Sequence, residues 1–527
     1  MPNHAEAMAE TLAARGVRLA FGLPGGEIVA FIDACRRADI RFLLTGHESS
    51  AAWMAQVVGQ MTGTPGLCIA TLGPGATNLI TGVANAWLDR APMLAVTAQI
   101  PGGVIDTLTH QRLQLDKLFS SVSKGSFSVS GDAVETVNRA MDLAAAPRPG
   151  PVHLALPSDV AVAEYSRDQV HPPAALATQP DSAGVVDEIA GRLNACERPL
   201  ILIGLAATPS VTPAVRALIE TLQAPFLVTP KAKGVASENH PRFAGVASGM
   251  AIDKDILETI RSADLILGVG FDPVECDKTW FAGVEVMALD TAWMTAGDYR
   301  PLEAIGDLDA MLVRLTEAIT NPKPWPPELL EARRAAVQRA PLESNLGLSP
   351  LRLIEELRSV FPRDGIATCD VGSHKLVMGQ FWRCYEPGTF LMSNGLSGMG
   401  FGIPAAIAAQ LVAPEKPVLA VVGDGGMLMM VHDLALIREL GLPVIIVVFC
   451  DRSLSLIRVS AERRGFAPYG VDFNPPDFPR IAQGFGIASQ RATSIRAARA
   501  CVETALTKRI PFLIEVPVDY REYYDLV

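Results

Sequence analysis

Strand-length apolar runs, each followed by sequence of helical period, recur from one end of this 527-residue chain to the other. That alternation is the pattern of α/β layering, because a strand that must run parallel to its predecessor needs a crossover helix to return it. Composition divides the chain into three segments. Residues 1–165 are punctuated by glycine, as in FGLPGG, TLGPGATN and the PGG at 101–103. A polar, proline-rich stretch (HPPAALATQPDSAG, 171–184) reads as a linker. Residues 185–322 carry the runs PLILIGLAA, APFLVTP, ADLILGVG and VEVMALD, and end at a second proline-rich break, NPKPWPPELLE. Residues 345–527 carry TFLMSNG, KPVLAVVGDGG, LPVIIVVFCD and IPFLIEVPVD. At roughly 150 residues per domain, the expectation is three α/β domains, each a doubly wound parallel sheet.

Charge removes several classes of function. Lys and Arg total 45 against 56 Asp and Glu, a formal net charge of −11. An acidic surface repels phosphate backbones and anionic lipid, so neither a nucleic-acid nor a membrane partner is expected. No apolar run approaches the ~20 residues of a membrane helix. The start, MPNHAEAMAETLAARG, lacks the pattern of a secretory signal. The eight cysteines are scattered without a CxxC pair, which predicts reduced thiols in a cytoplasmic enzyme and no structural zinc.

The stretch 417–453 carries most of the chemistry. Residues 417–422 predict a strand ending in Gly423-Asp424-Gly425-Gly426. A helix should follow, with Leu428, Val431, Leu434 and Ile437 three apart on one face. A second strand, 444–449, ends at Cys450-Asp451. In a parallel crossover unit both Asp424 and Asp451 lie at carboxyl ends of strands, where open α/β sheets bind ligands. Glycines let the backbone approach a phosphate, and a helix N-terminus favours its charge. Two carboxylates beside a phosphate suit octahedral Mg²⁺. The local alternative is an ordinary strand-to-helix turn with Asp451 as a helix cap.

In these residues the chain resembles the thiamine diphosphate (ThDP) enzymes, whose diphosphate and Mg²⁺ motif is GDG followed by an Asn-containing turn. Here Asp451 stands in the place of that Asn, 27 residues after Asp424, and the resemblance implies a further metal ligand at Ser453. It also implies a catalytic carboxylic acid that hydrogen-bonds N1′ of the aminopyrimidine. Glu48 in Gly46-His47-Glu48, after the run IRFLLTG and before a helix of small residues, matches it. Taken alone, a Glu in a helix's first turn is a favourable dipole partner. Phe21–Gly26, including Pro24 and Gly25, and Gly73–Asn78 resemble the FGxPGG and GPGATN segments of the acetolactate synthase group. Asp370-Val371-Gly372-Ser373-His374 resembles the loop that touches the diphosphate. Ser393–Gly402, including Ser397 and Met399, resembles the pyrimidine loop, with Met399 as the residue that bends the cofactor; as a local alternative, Met399 is core filler. Gly398, Gly400 and Gly402 are not read as a dinucleotide fingerprint, since no acidic residue follows at the needed spacing.

The resemblance is strongest to the catabolic, FAD-independent acetolactate synthases. It assigns residues 1–165 to the pyrimidine domain, 185–322 to a Rossmann-like middle domain and 345–527 to the diphosphate domain. Gly270–Glu275 (GFDPVE) resembles the catabolic branch, so FAD is not expected. Gln111, in Thr109-His110-Gln111, matches a glutamine near the reactive centre; otherwise it is a loop hydrogen-bonder. Ser460 stands where the biosynthetic branch carries Trp and the catabolic branch Gln, which leaves more volume beside an acceptor. Arg458 reads as a partner for an acidic substrate or as a solvated helix-face charge. The implied function is a Mg²⁺- and ThDP-dependent lyase/carboligase that decarboxylates a pyruvate-like 2-oxo acid and transfers the acyl unit to a second carbonyl. A ThDP-dependent decarboxylase or acyloin lyase with another substrate is the alternative, and a cofactor-free regulatory protein on the same fold is a third. The family assembles as homodimers or homotetramers with active sites at the subunit interface.

Overall fold

The computed structural model describes all residues except 106, 108–109, 167–181, 248, 277–280, 282, 295–298, 326–339, 341–343, 345 and 527. Most of the proline-rich 171–184 stretch and the end of the 321–331 break therefore lie outside the described residues.

Three six-stranded sheets account for the strands, and every strand pair within them is parallel. The first comprises β1 (Leu19–Leu23), β2 (Arg41–Leu44), β3 (Gly66–Ala70), β4 (Met93–Gln99), β5 (Gly125–Ser128) and β6 (Pro151–Pro157). Its order is β2-β1-β3-β4-β6-β5. The second comprises β7 (Pro199–Ile203), β8 (Phe226–Val228), β9 (Phe243–Val246), β10 (Leu265–Val269), β11 (Glu285–Asp290) and β12 (Leu302–Ile305), ordered β12-β11-β10-β7-β8-β9. Read from its other edge this is 3-2-1-4-5-6, the Rossmann order. The third comprises β13 (Ile366–Cys369), β14 (Phe390–Met392), β15 (Val418–Gly423), β16 (Val444–Cys450), β17 (Ala488–Arg491) and β18 (Phe512–Pro517). Its order, β14-β13-β15-β16-β18-β17, repeats that of the first sheet strand for strand.

Each sheet is covered on both faces, so its central strands read as unbroken apolar runs: β3, β7, β10 and β13 are buried at every position. Chain packing divides the molecule into two compact units. One is 1–177 with 396–414 and 430–440; the other is 178–395 with 415–429 and 441–527. The first sheet lies in the former unit, and the second and third lie in the latter.

The chain after Gly423 differs from the expected single helix. Asp424–Met429 forms one short helix, Met430–His432 a turn, and Asp433–Leu440 a second helix. Leu428 and Met429 are left exposed, while Met430, Leu434 and Ile437 are buried. The three-residue spacing of apolar side chains runs across the break, which is why the sequence reads as continuous.

Candidate active site

In the first unit the order reverses between β1 and β3, and that switch point gathers the loops after β1, β2 and β3 at one sheet end. Pro24 and Gly25 follow β1. Gly25 packs so closely on Thr71 that a Cβ would lie 2.5 Å from its Oγ1. Glu48 follows β2 and opens the helix Glu48–Thr62. His47 caps that helix by accepting from the Ser49 N–H at 3.1 Å, and Gly63 closes it in the left-handed conformation at φ 74°.

Small residues let this helix sit unusually deep. A Cβ at Gly82 would meet Ala52 at 2.4 Å, one at Gly59 would meet the Pro92 carbonyl at 1.9 Å, and one at Gly66 would meet the Ala55 carbonyl at 1.9 Å. Gln56 and Asn85 then lock it to the helix Pro74–Leu88. Asn85 donates to Gln56 at 2.7 Å, and both side chains donate to Asp89.

Glu48 is 4% exposed. Its Oε2 accepts from Asn78 Nδ2 at 2.9 Å, and a Cβ at Gly75 would lie 3.3 Å from Oε1. The carboxylate thus faces the first turn of the Pro74–Leu88 helix, whose dipole favours negative charge. Gln111 is exposed, adopts φ 54°, and lies over Gly73, where a Cβ would approach its side chain to 3.0 Å. Thr109, beside it, lies outside the described residues.

The loop Leu396–Phe401 belongs to the same unit. Ser397 is exposed with φ 55°, and Met399 is half-buried. Gly398 and Gly400 lie against Trp53 of the Glu48 helix, whose ring meets Phe401 edge-on at 6.2 Å.

In the second unit the corresponding switch point lies between β13 and β15. Asp370, Asp424 and Asp451 follow the adjacent strands β13, β15 and β16, so three carboxylates stand at one sheet end. A Cβ on Gly426 would fall 1.9 Å from Asp370 Oδ2, so only glycine fits there. Asp424 accepts from the Gly425 and Arg452 N–H groups, each at 2.8 Å. Asp451 accepts from the Ser453 N–H at 3.2 Å and from Ser455 Oγ at 2.7 Å. Burial raises Asp424 above the usual carboxylate range. Burial, and then the Asp424 charge, push Asp451 up to about 7. A cation would relieve both, and carboxylates at this place have the chemistry of a hard divalent site. Among the described residues no three of His, Cys, Asp and Glu converge into a metal cluster. The protein would therefore leave much of the coordination shell to backbone, phosphate and water.

Gly372, Ser373 and His374 follow Asp370. His374 folds back over Gly372 and Gly423, where Cβ atoms would meet its ring at 2.8 and 3.1 Å. Burial lowers His374 to about 4, so the ring is neutral at pH 7. Ser373 Oγ and His374 Nε2 are buried with no hydrogen-bond partner among the described residues. Such groups cost free energy unless something polar completes them, and a diphosphate would do so.

Arg458 is not a solvated helix-face charge. Its side chain is only 14% exposed, pairs with Asp472 and Glu462, donates to Ser453 Oγ at 3.2 Å, and stacks 5.2 Å from the Tyr520 ring. Two further groups carry no signal in the sequence. Asn78 reads as part of a glycine-rich turn until topology sets it against Glu48, and Ser50 reads as a helix filler.

Two sheets of one strand order, each with polar groups gathered at its switch point, and a Rossmann-ordered sheet between them in the sequence give the architecture of an α/β enzyme. The family comparison agrees. Residues 2–118 match the N-terminal TPP binding domain of the thiamine pyrophosphate enzymes, 186–315 their central domain, and 370–516 their C-terminal TPP binding domain. The chain is 30% identical to a probable acetolactate synthase large subunit of Methanocaldococcus jannaschii, over 99% of this chain and 93% of that one. It is 30% identical to the acetolactate synthase of Bacillus subtilis, over 99% and 94% of the two chains. It is 29% identical to the catabolic acetolactate synthase of Raoultella terrigena, over 98% and 95%. The chain belongs to the thiamine pyrophosphate enzyme family and is acetolactate synthase-like: a ThDP-dependent carboligase of 2-oxo acids.

Proposed function

We propose that this enzyme decarboxylates pyruvate and joins the resulting acyl unit to a second 2-oxo acid, with Glu48 as the acid that activates the cofactor. The observation that carries the assignment is the buried Glu48 carboxylate, aimed at a helix N-terminus and held by Asn78 at 2.9 Å. A carboxyl group held in this way can exchange a proton with a ring nitrogen placed within hydrogen-bond reach.

Pro24, Gly25, Ser397 and Met399 would line the pyrimidine end. Gly372, Ser373, His374 and the backbone of Gly423–Gly426 would receive the diphosphate. Asp424, Asp451 and Ser453 would hold Mg²⁺. Bound ThDP supplies an electron sink for breaking the bond between a 2-oxo carbon and its carboxylate. Gln111 would orient the substrate carbonyl.

FAD is not part of this reading. Where the Rossmann order places a dinucleotide's diphosphate, between β7 and β10, the Glu275 side chain accepts from the Leu205 N–H at 3.0 Å. Gly204 meets Phe271 so closely there that a Cβ would lie 2.4 Å from its Cα.

Domain limits of 1–165, 185–322 and 345–527, a homodimer or homotetramer with shared active sites, and a cytoplasmic location belong to the same proposal. All eight cysteines are free thiols, which fits a reducing compartment. No described helix is long and apolar enough to cross a membrane. Half-buried Ser460 favours a second reading in which the acceptor is bulkier than pyruvate.

Glu48→Gln tests the central assignment. The variant should bind ThDP with Mg²⁺ at near-wild-type affinity and lose more than about 99% of turnover, the scale of a lost acid–base group. Retained turnover would remove Glu48 from the chemistry.

A further inference from the structure

The turn Met430–His432 and the start of the helix Asp433–Leu440 share a compact unit with the Glu48 helix and close on its first turn. Ser50 is completely buried two residues beyond Glu48. Its hydroxyl donates to Asp433 Oδ2 at 2.9 Å and lies 3.2 Å from His432 Nε2 and 3.4 Å from Met430 Sδ. The Asp433 side chain is 0% exposed, and its Oδ1 lies 3.5 Å from His432 Nε2. His432 also covers Gly46, where a Cβ would meet the ring at 2.4 Å, and Met430 covers Gly400 at 2.6 Å.

A carboxyl group buried this deeply costs free energy that helix formation does not require, since His47 already supplies the cap. What the cluster adds is a fixed height and rotation for the turn that carries Glu48. Asn78 fixes the carboxylate from one side only, and the Ser50 hydroxyl is a second anchor on the same turn of helix.

We propose that Ser50 and Asp433, with His432 packed over Gly46, are positioning residues that set the Glu48 carboxyl for cofactor activation. The inference rests on the reading of Glu48 given above. They are not among the residues assigned above to substrate or cofactor, so their effect belongs on activation and not on affinity.

The test is the rate at which the C2 proton of bound ThDP exchanges for deuterium, followed by acid quench and NMR on the Mg²⁺-loaded enzyme. The ThDP dissociation constant and the melting temperature are measured beside it. Ser50→Ala should slow exchange about tenfold, with affinity within about twofold of wild type. Asp433→Asn, which keeps an oxygen acceptor for Ser50, should stay within about threefold of wild type. Wild-type exchange in Ser50→Ala overturns the proposal, as does a lowered melting temperature with exchange unchanged. Glu48→Gln separates the two readings. Loss of exchange there but not in Ser50→Ala sinks only the positioning role. Normal exchange in Glu48→Gln sinks the reading of Glu48 and the positioning role with it.

Discussion

At the scale of single residues, the site depends on groups whose value comes from what faces them. Asp424 stands out in the sequence because it ends a strand in a glycine-rich turn with a second carboxylate, Asp451, 27 residues on, whereas Glu48 stands out only through the family resemblance, a lone Glu in a helix's first turn being an ordinary dipole partner. Asn78 does not stand out. An amide at the end of a GPGATN segment is indistinguishable from a cap until β2 and β3 are both set beside β1. Its hydrogen bond to Glu48 is one between an amide and a charged group, worth about 1.5–3 kcal/mol. Asn78→Ala should therefore lower turnover by about tenfold or more while leaving ThDP affinity nearly unchanged, as read by steady-state kinetics and a cofactor titration. Arg458 shows the opposite limit. Its partner Asp472 is 14 residues away across a turn, a pairing that helical spacing does not reveal.

At the scale of elements, the strands were legible because buried parallel strands are continuous apolar runs. The expected strand 417–422 forms as Val418–Gly423, and 444–449 as Val444–Cys450. The single helix expected after Gly423 forms as two, Asp424–Met429 and Asp433–Leu440. Apolar periodicity says nothing about a turn that re-aims the chain so that Asp433 reaches Ser50. The first turn of the short helix Asp424–Met429 is sterically exacting. Gly426→Ala would push a methyl group into Asp370, for which a stability loss of about 1–3 kcal/mol is expected. Its loss of ThDP and Mg²⁺ affinity should be larger in proportion, because the diphosphate turn itself must move. Thermal unfolding with and without cofactor reads both, and an unchanged cofactor affinity would place the diphosphate elsewhere.

At the scale of the whole molecule, buried ionisable groups set a pH dependence. Burial pushes Asp290, Asp433 and Asp451 up to about 7 and Glu275 up to about 8. Each holds a proton in the fold that the unfolded chain has already released, so each contributes stability that fades as pH rises through its folded value. Burial lowers His374 to about 4 and His153 to about 3, which works in the opposite direction but only below about 6.5. Without cofactor, the melting temperature should fall between about pH 6.5 and 8, and saturating Mg²⁺ and ThDP should flatten that fall by stabilising ionised Asp424 and Asp451. A rise over that interval would contradict the assignment of these groups as protonated. The three-sheet organisation was readable from glycine-rich and proline-rich punctuation, and the family from a few motifs. The matching strand orders of the first and third sheets were not, because order depends on which runs pair.

The account's central claim is most directly tested by incubating the enzyme with ThDP, Mg²⁺ and pyruvate alone and following the products by NMR. Acetolactate as the main product is the predicted result; acetaldehyde without acetolactate, or pyruvate left unconsumed by enzyme that has bound ThDP, would contradict it.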